Sequence, residues 1–189
     1  EDAALYYKKQ SMQKSDVLNK YNLFPDKFVL FTLHRAENTN NSVRMTEIIN
    51  GINEVATECR VVWPVHPRMN NQLASMKLHD NILIIDPVGY FDMIELIGQS
   101  KLVMTDSGGL QKEAYFFNKF CVTIRDQTEW VELVHHGFNA LVGANSNRIF
   151  DAFRNFDCKK FDKFVQLYGN GTASLAMVKA IEILLNSKD

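Results

Sequence analysis

The sequence has few cysteines, little excess charge of either sign and no long apolar runs. Its three cysteines, Cys59, Cys121 and Cys158, are far apart and form no C-x-x-C pair, which argues against a zinc site, a redox motif or a disulfide framework. Lysine and arginine number 21 against 22 for aspartate and glutamate, so no overall basic field would recruit nucleic acid or an acidic membrane. We therefore expect a cytoplasmic setting in which any anion is bound by a local group of residues.

Signals for membrane insertion and secretion are also lacking. No apolar run approaches the roughly 20 residues that cross a bilayer, and the first residues lack the basic and apolar regions of a signal peptide. The chain starts inside a helix-like segment, Ala3–Lys20, from which we expect that upstream sequence is missing. The adjacent His135 and His136 lack i, i+4 spacing and a nearby Cys, so we expect no metal site there.

Short apolar runs and longer periodic stretches alternate along the chain. The composition, 46% hydrophobic and 23% charged, fits one globular domain with a sizeable core. The runs read as buried parallel strands, because both of their faces would be covered. The predicted strands are Phe28–Leu33, Val61–Val65, Ile82–Ile85, Leu102–Met104, Cys121–Ile124 and Ala140–Val142.

Helical stretches fill the intervals between these strands. In Ser42–Glu58 the apolar residues fall on one face of a helix that Asn41 or Ser42 would cap. The regular alternation predicts an α/β fold with a doubly wound, Rossmann-like parallel sheet. The other predicted helices of this body are Pro67–Lys77, Tyr90–Gly98, Ser107–Asn118 and Asn145–Asn155.

The turn after the fourth strand is the strongest candidate for a ligand site, because ligands of such sheets bind beyond the carboxyl ends of the strands. The turn reads Asp106-Ser107-Gly108-Gly109 and opens a helix that carries Glu113. Its glycines would let a phosphate approach the backbone, and the helix start offers unpaired N–H donors and a favourable dipole. Glu113 could accept hydrogen bonds from two ribose hydroxyls. A tight turn with an N-cap and a dipole-favoured glutamate would give the same pattern.

A dense polar cluster follows the first strand. It contains His34, Arg35, Glu37 and Asn38, whose imidazole and guanidinium suit the charged oxygens of a phosphate. A lone histidine is usually structural, but one beside Arg, Glu and Asn at the ligand edge favours function. We therefore expect this cluster to bind the ligand.

Three further loops carry candidate binding residues. The loop after the second strand adds an arginine where the helix dipole disfavours one, which suggests a ligand or domain interface. The loop after the third could offer aromatic faces to a base, although a turn with core packing is the more common explanation of such a segment. The loop after the fifth could reach sugar hydroxyls, or its tryptophan could simply pack. The candidates are His66 and Arg68, then Pro87, Gly89, Tyr90 and Phe91, then Arg125, Thr128 and Glu129.

Taken together, six motifs resemble the non-hydrolysing UDP-N-acetylglucosamine 2-epimerases in order and spacing. The resemblance covers nearly the whole chain, but only the C-terminal half and connecting helix of a family whose complete members have two domains of the glycosyltransferase B type. The motifs are HRAENT at 34–39, HPR at 66–68, PVGYFD at 87–92, DSGGLQKEA at 106–114, RDQTEWVE at 125–132 and LVG at 141–143.

The resemblance implies an enzyme that inverts carbon 2 of UDP-GlcNAc to give UDP-ManNAc. UDP is eliminated to leave a 2-acetamidoglucal and is then added back with the opposite stereochemistry, with no metal and no cofactor. His34 would contact the phosphates and assist catalysis. Ser107 and Gly108 would bind the diphosphate, and Glu113 would bind the ribose. The loop Pro87–Phe91 would face uracil.

As partners, the resemblance implies a UDP-sugar substrate, the missing N-terminal domain and a second copy in a homodimer, but no nucleic acid and no membrane. The carboxylates that handle the proton at carbon 2 belong to that missing domain, so these residues alone should bind UDP weakly and turn over nothing. We divide the chain into a connecting helix (1–22), a UDP-binding domain (23–158), and a connector with a C-terminal helix that crosses back to the other domain (159–189).

Other functions fit parts of the same pattern. Many members read T-E-R-P-E where this sequence has T-E-W-V-E at 128–132, a variant that resembles epimerases acting on UDP-2,3-diacetamido-glucuronate. A UDP-sugar glycosyltransferase of the same fold would also bind UDP in its C-terminal domain. A non-catalytic UDP-sugar sensor would need only the binding loop.

Overall fold

The structure is a computed structural model that describes residues 2–169 and 172–186. A six-stranded sheet forms the centre of the molecule. The strands are β1 (Phe28–Thr32), β2 (Arg60–Pro64), β3 (Ile82–Ile85), β4 (Val103–Thr105), β5 (Cys121–Thr123) and β6 (Asn139–Leu141). Their order is β3-β2-β1-β4-β5-β6, and all five neighbouring pairs are parallel. The chain thus adds β2 and β3 on one side of β1, and then returns to the centre and adds β4, β5 and β6 on the other side. This confirms the doubly wound parallel sheet.

Helices cover both faces of the sheet, as expected for parallel strands. They are α1 (Asp2–Lys14), α2 (Val17–Lys20), α3 (Ala36–Thr39), α4 (Ser42–Glu58), α5 (Asn70–Leu73), α6 (Tyr90–Gln99), α7 (Gly108–Phe116), α8 (Val131–His135), α9 (Ser146–Asp157) and α10 (Ala173–Asn186), with a 3-10 turn over Pro67–Met69. Among the described residues, no helix is long and apolar enough to cross a membrane.

Alternate residues of β1 feed two apolar layers. Phe28 and Leu30 belong to the layer beneath α1, α2 and α6, whereas Val29 and Phe31 belong to the layer beneath α4 and α9. Every residue of β1 is therefore buried, which explains its unbroken apolar run. Helices α4 and α9 approach so closely that a Cβ on Gly51 would lie 2.9 Å from the Cβ of Ile149.

Two predicted helices are shorter or broken in the structure. The segment Ala3–Lys20 divides into α1 and α2, because the Ser15 hydroxyl donates to Asp92 Oδ1 at 2.6 Å while its oxygen accepts from the Val17 amide at 3.3 Å. The predicted helix Pro67–Lys77 is reduced to the 3-10 turn and α5. Helices α3 and α8 were not predicted, because four or five residues carry no readable periodicity.

The two ends of the chain differ in how they pack: helix α1 packs on α6, whereas helix α10 is exposed. Helix α1 packs on α6, where the Ser11 hydroxyl donates to Glu95 Oε2 at 3.1 Å. Residues 159–169, here called the strap, cross α7, with Tyr115 Oη donating to the Val165 carbonyl at 2.6 Å. Helix α10 buries none of its side chains. The predicted connecting helix and C-terminal segment also include residues that lie outside the described part of the chain, namely 1, 170, 171 and 187–189.

Candidate functional site

The loops after β1 and β4 meet at the centre of the sheet, where the chain reverses its direction of strand addition. Thr32 and Thr105, at the ends of these strands, share a hydrogen bond of 2.7 Å between their hydroxyls. This switch point is where open α/β sheets bind ligands. A cavity of about 530 Å³ lies there, lined by His34, Arg35, Met93, Asp106, Ser107, Gly108 and Leu110.

The buried side chain of Asp106 links the loop after β4 to the loop after β1. Its fully buried carboxylate accepts from the backbone amides of His34 at 3.0 Å and Arg35 at 2.9 Å, and from Asn38 Nδ2 at 3.1 Å. Arg35 Nε donates in turn to the Asp106 carbonyl at 2.8 Å. Asn38 is also fully buried, and its Nδ2 donates to the Ile124 carbonyl at 3.1 Å. The Asp106 and Asn38 side chains, expected to contact a ligand, are thus occupied in shaping the loops.

Helix α7 presents its N-terminus to this cavity. Ser107 caps the helix, its Oγ accepting from the Leu110 amide at 3.4 Å, while its own amide donates to Thr105 Oγ1 at 2.9 Å. Gly108 and Gly109 occupy the first helical positions, where backbone N–H groups have no intrahelical acceptor. Their donors and the helix dipole together favour an anion at this point.

Gly108 has close neighbours on two sides. A Cβ there would lie 2.0 Å from Glu129 Oε1, and the Gly108 carbonyl accepts from Trp130 Nε1 at 2.8 Å. Glu129 is held by Arg125, whose Nη1 donates to Oε2 at 2.6 Å. A hydrogen bond from its own backbone amide, and then Arg125, lower the pKa of Glu129. A Cβ at Gly108 would therefore displace the end of a flexible, half-exposed side chain, and no unusual backbone angle requires glycine at this position.

Thr128 and Gln111 connect the fifth-strand loop to α7. The Thr128 hydroxyl donates to Gln111 Oε1 at 2.7 Å, and the fully buried Gln111 donates from Nε2 to the Ser107 carbonyl at 3.3 Å. The Thr128 oxygen also accepts from the Trp130 amide at 3.2 Å. Gln111 and Trp130 both lie within motifs found in the sequence, but no role was predicted for Gln111, and packing was one of the two explanations offered for Trp130. Both support the loop that opens α7.

Glu113 lies one turn further along α7 with a half-buried, unpaired carboxylate. Burial raises its pKa, and no hydrogen bond or ion pair within the described part of the chain involves this carboxylate. Tyr90 lies at the start of α6, and burial, followed by the charge of Glu113, raises the pKa of its phenol. Tyr90 and Phe91 both make edge-on contacts with Tyr7 of α1, at 5.6 and 5.9 Å between ring centroids.

The remaining predicted residues lie around this centre. Pro87 and Gly89 are exposed, and a Cβ on Gly89 would meet nothing within 4 Å. Glu37 and His66 are exposed and do not line the central cavity. The side chain of Arg68 lies outside the described part of the structure. Within residues 2–169 and 172–186, no group of three His, Cys, Asp or Glu side chains could hold a metal ion.

The fold and this geometry are those of doubly wound α/β domains that hold a phosphorylated ligand against a helix N-terminus. The family model described as UDP-N-acetylglucosamine 2-epimerase matches residues 1–182. A UDP-2,3-diacetamido-2,3-dideoxy-D-glucuronate 2-epimerase from Pseudomonas aeruginosa is 46% identical over 175 residues, which cover 92% of this chain and 48% of that protein. The Methanocaldococcus jannaschii UDP-GlcNAc 2-epimerase in complex with UDP-GlcNAc and UDP matches at 34% identity and a TM-score of 0.83, covering 96% of this chain and 52% of that one.

The chain therefore belongs to the UDP-N-acetylglucosamine 2-epimerase family. It spans about half the length of the relatives just named. The resemblance deduced from the six sequence motifs is confirmed.

Proposed function

We propose that this chain forms the UDP-binding half of a UDP-sugar 2-epimerase that converts UDP-GlcNAc to UDP-ManNAc by eliminating UDP and adding it back. One observation carries the proposal: the N-terminus of α7 opens on the cavity at the switch point, and Glu113 lies half-buried and unpaired one turn behind it. An anion seat at the start of a helix and a hydroxyl acceptor one turn further along it suit the diphosphate and ribose of one nucleotide. The relatives' names supply the reaction.

The diphosphate would lie on the tip of α7. Ser107, Gly108 and Gly109 would bind it through the Ser107 side chain and the backbone amides of the two glycines, and Arg35 and His34 would face it from the loop after β1. Cleavage of the anomeric C–O bond leaves negative charge on UDP, so fixed N–H dipoles and a nearby cation stabilise the departing group. His34 would also donate a proton to that group.

The nucleoside would extend along the groove between α6 and α7. Glu113 would accept hydrogen bonds from the two ribose hydroxyls, which would pair a carboxylate that has no partner in the free protein. Tyr90 and Phe91, with Pro87 and Gly89, would enclose the uracil. Tyr90 is 47% exposed, which leaves its ring face available for stacking.

The sugar would lie towards the loop after β5. There Arg125 and Glu129 present a guanidinium and a carboxylate, while Thr128 supports Gln111. Asp106 and Asn38 would act as positioning residues, because both side chains are fully buried. Glu37, His66 and Arg68 would complete the rim where the rest of the enzyme closes over the sugar.

The complete reaction would need residues beyond this chain. Since the relatives are about twice as long, we place the acid and base for carbon 2 in the other half, and we expect this chain to bind UDP without turning over UDP-GlcNAc. We further propose that the complete enzyme acts in the cytoplasm as a homodimer.

A second substrate is favoured by a specific observation. The 46% identical Pseudomonas relative is named for UDP-2,3-diacetamido-2,3-dideoxy-D-glucuronate, a sugar that carries a carboxylate. At the proposed sugar end, Arg125 Nη1 donates to Glu129 Oε2 at 2.6 Å. A sugar carboxylate would compete with the half-exposed Glu129 carboxylate for this guanidinium through charge-assisted hydrogen bonds.

Two measurements test the proposal. Calorimetric titration of UDP into this chain should show binding, and the absence of heat with UDP under conditions where the chain is folded would refute it. For the reaction, each UDP-sugar should be incubated in D₂O with the full-length enzyme. Deuterium at carbon 2 of the sugar identifies the substrate, whereas transfer of sugar to an acceptor without exchange would indicate a glycosyltransferase.

A further inference from the structure

Trp130 touches the proposed diphosphate loop without facing the cavity. Its indole Nε1 donates to the Gly108 carbonyl at 2.8 Å, across the gap between the fifth-strand loop and the first turn of α7. None of the roles proposed above uses this side chain. The contact bears on binding because the Gly108 carbonyl and the Gly109 amide belong to one planar peptide unit.

The orientation of that peptide decides where its amide points. In a trans peptide the C=O and N–H bonds point in opposite directions, so a donor fixed on the Gly108 carbonyl fixes the direction of the Gly109 N–H. A hydrogen bond to the carbonyl also polarises the amide and strengthens its N–H as a donor. This bond adds a restraint to a first turn that begins with two flexible glycines and is otherwise held by the Ser107 cap and the helix's own hydrogen bonds.

The indole is itself held in place by the strap. Lys112 Nζ lies 4.3 Å from the centroids of both the Trp130 and Tyr168 rings, so that one ammonium is bound by two aromatic faces. Tyr168 Oη donates to Glu132 Oε1 at 2.5 Å, which anchors the strap to α8. The rings of Trp130 and Tyr168 meet edge to face at 6.0 Å. Trp130 is therefore held by Lys112 and Tyr168 as well as by its hydrogen bond to Gly108.

We propose that Trp130 is a positioning residue, which aims the Gly108–Gly109 peptide at the diphosphate of the bound nucleotide. The inference rests on the proposed binding of UDP and assigns to that site a residue outside the binding loop. Because the indole acts only on the anion seat, its contribution should appear with UDP and be absent with uridine, which lacks the diphosphate.

The test compares UDP with uridine in calorimetric titrations of the whole chain. Trp130→Phe retains the ring and removes the N–H, so we expect UDP affinity to fall about fivefold, the size of one ordinary hydrogen bond, with uridine affinity unchanged. Trp63→Phe is the matched control, because Trp63 is fully buried and its Nε1 has no partner. That variant should leave the ratio of UDP to uridine affinity unchanged.

Two outcomes would overturn the inference. An equal loss of affinity for UDP and uridine in Trp130→Phe would assign Trp130 to packing alone, and unchanged affinity for both would show that the indole N–H does not contribute. If the wild-type chain bound UDP no more tightly than uridine, the proposed diphosphate site itself would fail, irrespective of Trp130.

A second measurement needs no variant and therefore does not depend on the folding of Trp130→Phe. In NMR spectra of the ¹⁵N-labelled wild-type chain, the indole N–H resonance of Trp130 should shift when UDP is added and stay in place with uridine. An indole resonance that ignores UDP while the Gly109 amide responds would contradict the proposal.

Discussion

We predict that Gly108→Ala weakens UDP binding strongly while it changes the free energy of unfolding only a little. The new Cβ would lie 2.0 Å from Glu129 Oε1, whereas a comfortable contact needs about 3.5 Å. The carboxylate must therefore retreat by roughly 1.5 Å, which breaks its 2.6 Å bond to Arg125. Because the Glu129 side chain is 46% exposed, that ion pair is worth only about 0 to 1 kcal/mol. Alanine in place of glycine in a helix returns roughly 0.5 to 1 kcal/mol, so the net change in stability should be within about 1 kcal/mol.

The effect on UDP should be much larger. The methyl group would keep a phosphate oxygen away from the amides of Gly108 and Gly109, and we expect calorimetric affinity to fall more than about tenfold, the loss of one or two charge-assisted hydrogen bonds. In a Glu129→Ala background the same methyl has room, so Gly108→Ala should then stabilise the chain in thermal melts. The loss of affinity that it causes for UDP should persist.

A helix glycine remote from the cavity provides the control. Gly98 lies near the end of α6, and a Cβ there would sit at an ordinary 3.4 Å from Phe117 Cδ1. Gly98→Ala should leave UDP affinity unchanged. Wild-type UDP affinity in Gly108→Ala would refute close approach of the diphosphate to this backbone. A loss of several kcal/mol in stability would show that the Glu129 side chain cannot move aside for the new methyl group.

Three further outcomes follow. Glu113→Gln should weaken uridine binding about fivefold in calorimetry, and it should raise the melting temperature at pH 7. Burial raises the Glu113 pKa above its ordinary 4.5, so the ionised group destabilises the free protein at pH 7, and the gain should vanish as pH falls below 4.5. Asp106→Ala should lower the free energy of unfolding by more than about 3 kcal/mol in urea titrations, since it leaves buried donors unpaired, whereas the exposed Asp126→Ala should cost less than about 1 kcal/mol. Equal losses in these two variants would contradict the anchoring role of Asp106.

The sheet could be predicted from sequence because its central strands are covered on both faces. Each of the six predicted runs overlaps an observed strand. The apolar run Phe28–Phe31 in β1 is unbroken because helices cover both sides of this strand. Strand order could not be read from these runs, because it depends on which edge each helix returns to. The break at Ser15 was missed, since it depends on Asp92, 77 residues further along the chain.

The position of the candidate site in the fold could be predicted from sequence, but the contacts of its residues could not. Polar residues after β1 and β4 meet because the carboxyl ends of parallel strands share one edge. Whether a carboxylate at that edge faces a ligand or a backbone amide leaves no mark in the sequence, so Asp106 and Glu113 were both predicted to bind the ligand. One is buried among backbone donors and the other is unpaired. Gln111 and Trp130 act through single contacts that only the folded chain creates.

The most direct test of the central claim is a crystal structure of this chain with UDP. The β-phosphate should lie within about 3 Å of the Gly108 and Gly109 amides, with both ribose hydroxyls on the Glu113 carboxylate. A diphosphate bound elsewhere, such as in the cavity of about 320 Å³ on the other side of His34, or a ribose that does not touch Glu113, would contradict it.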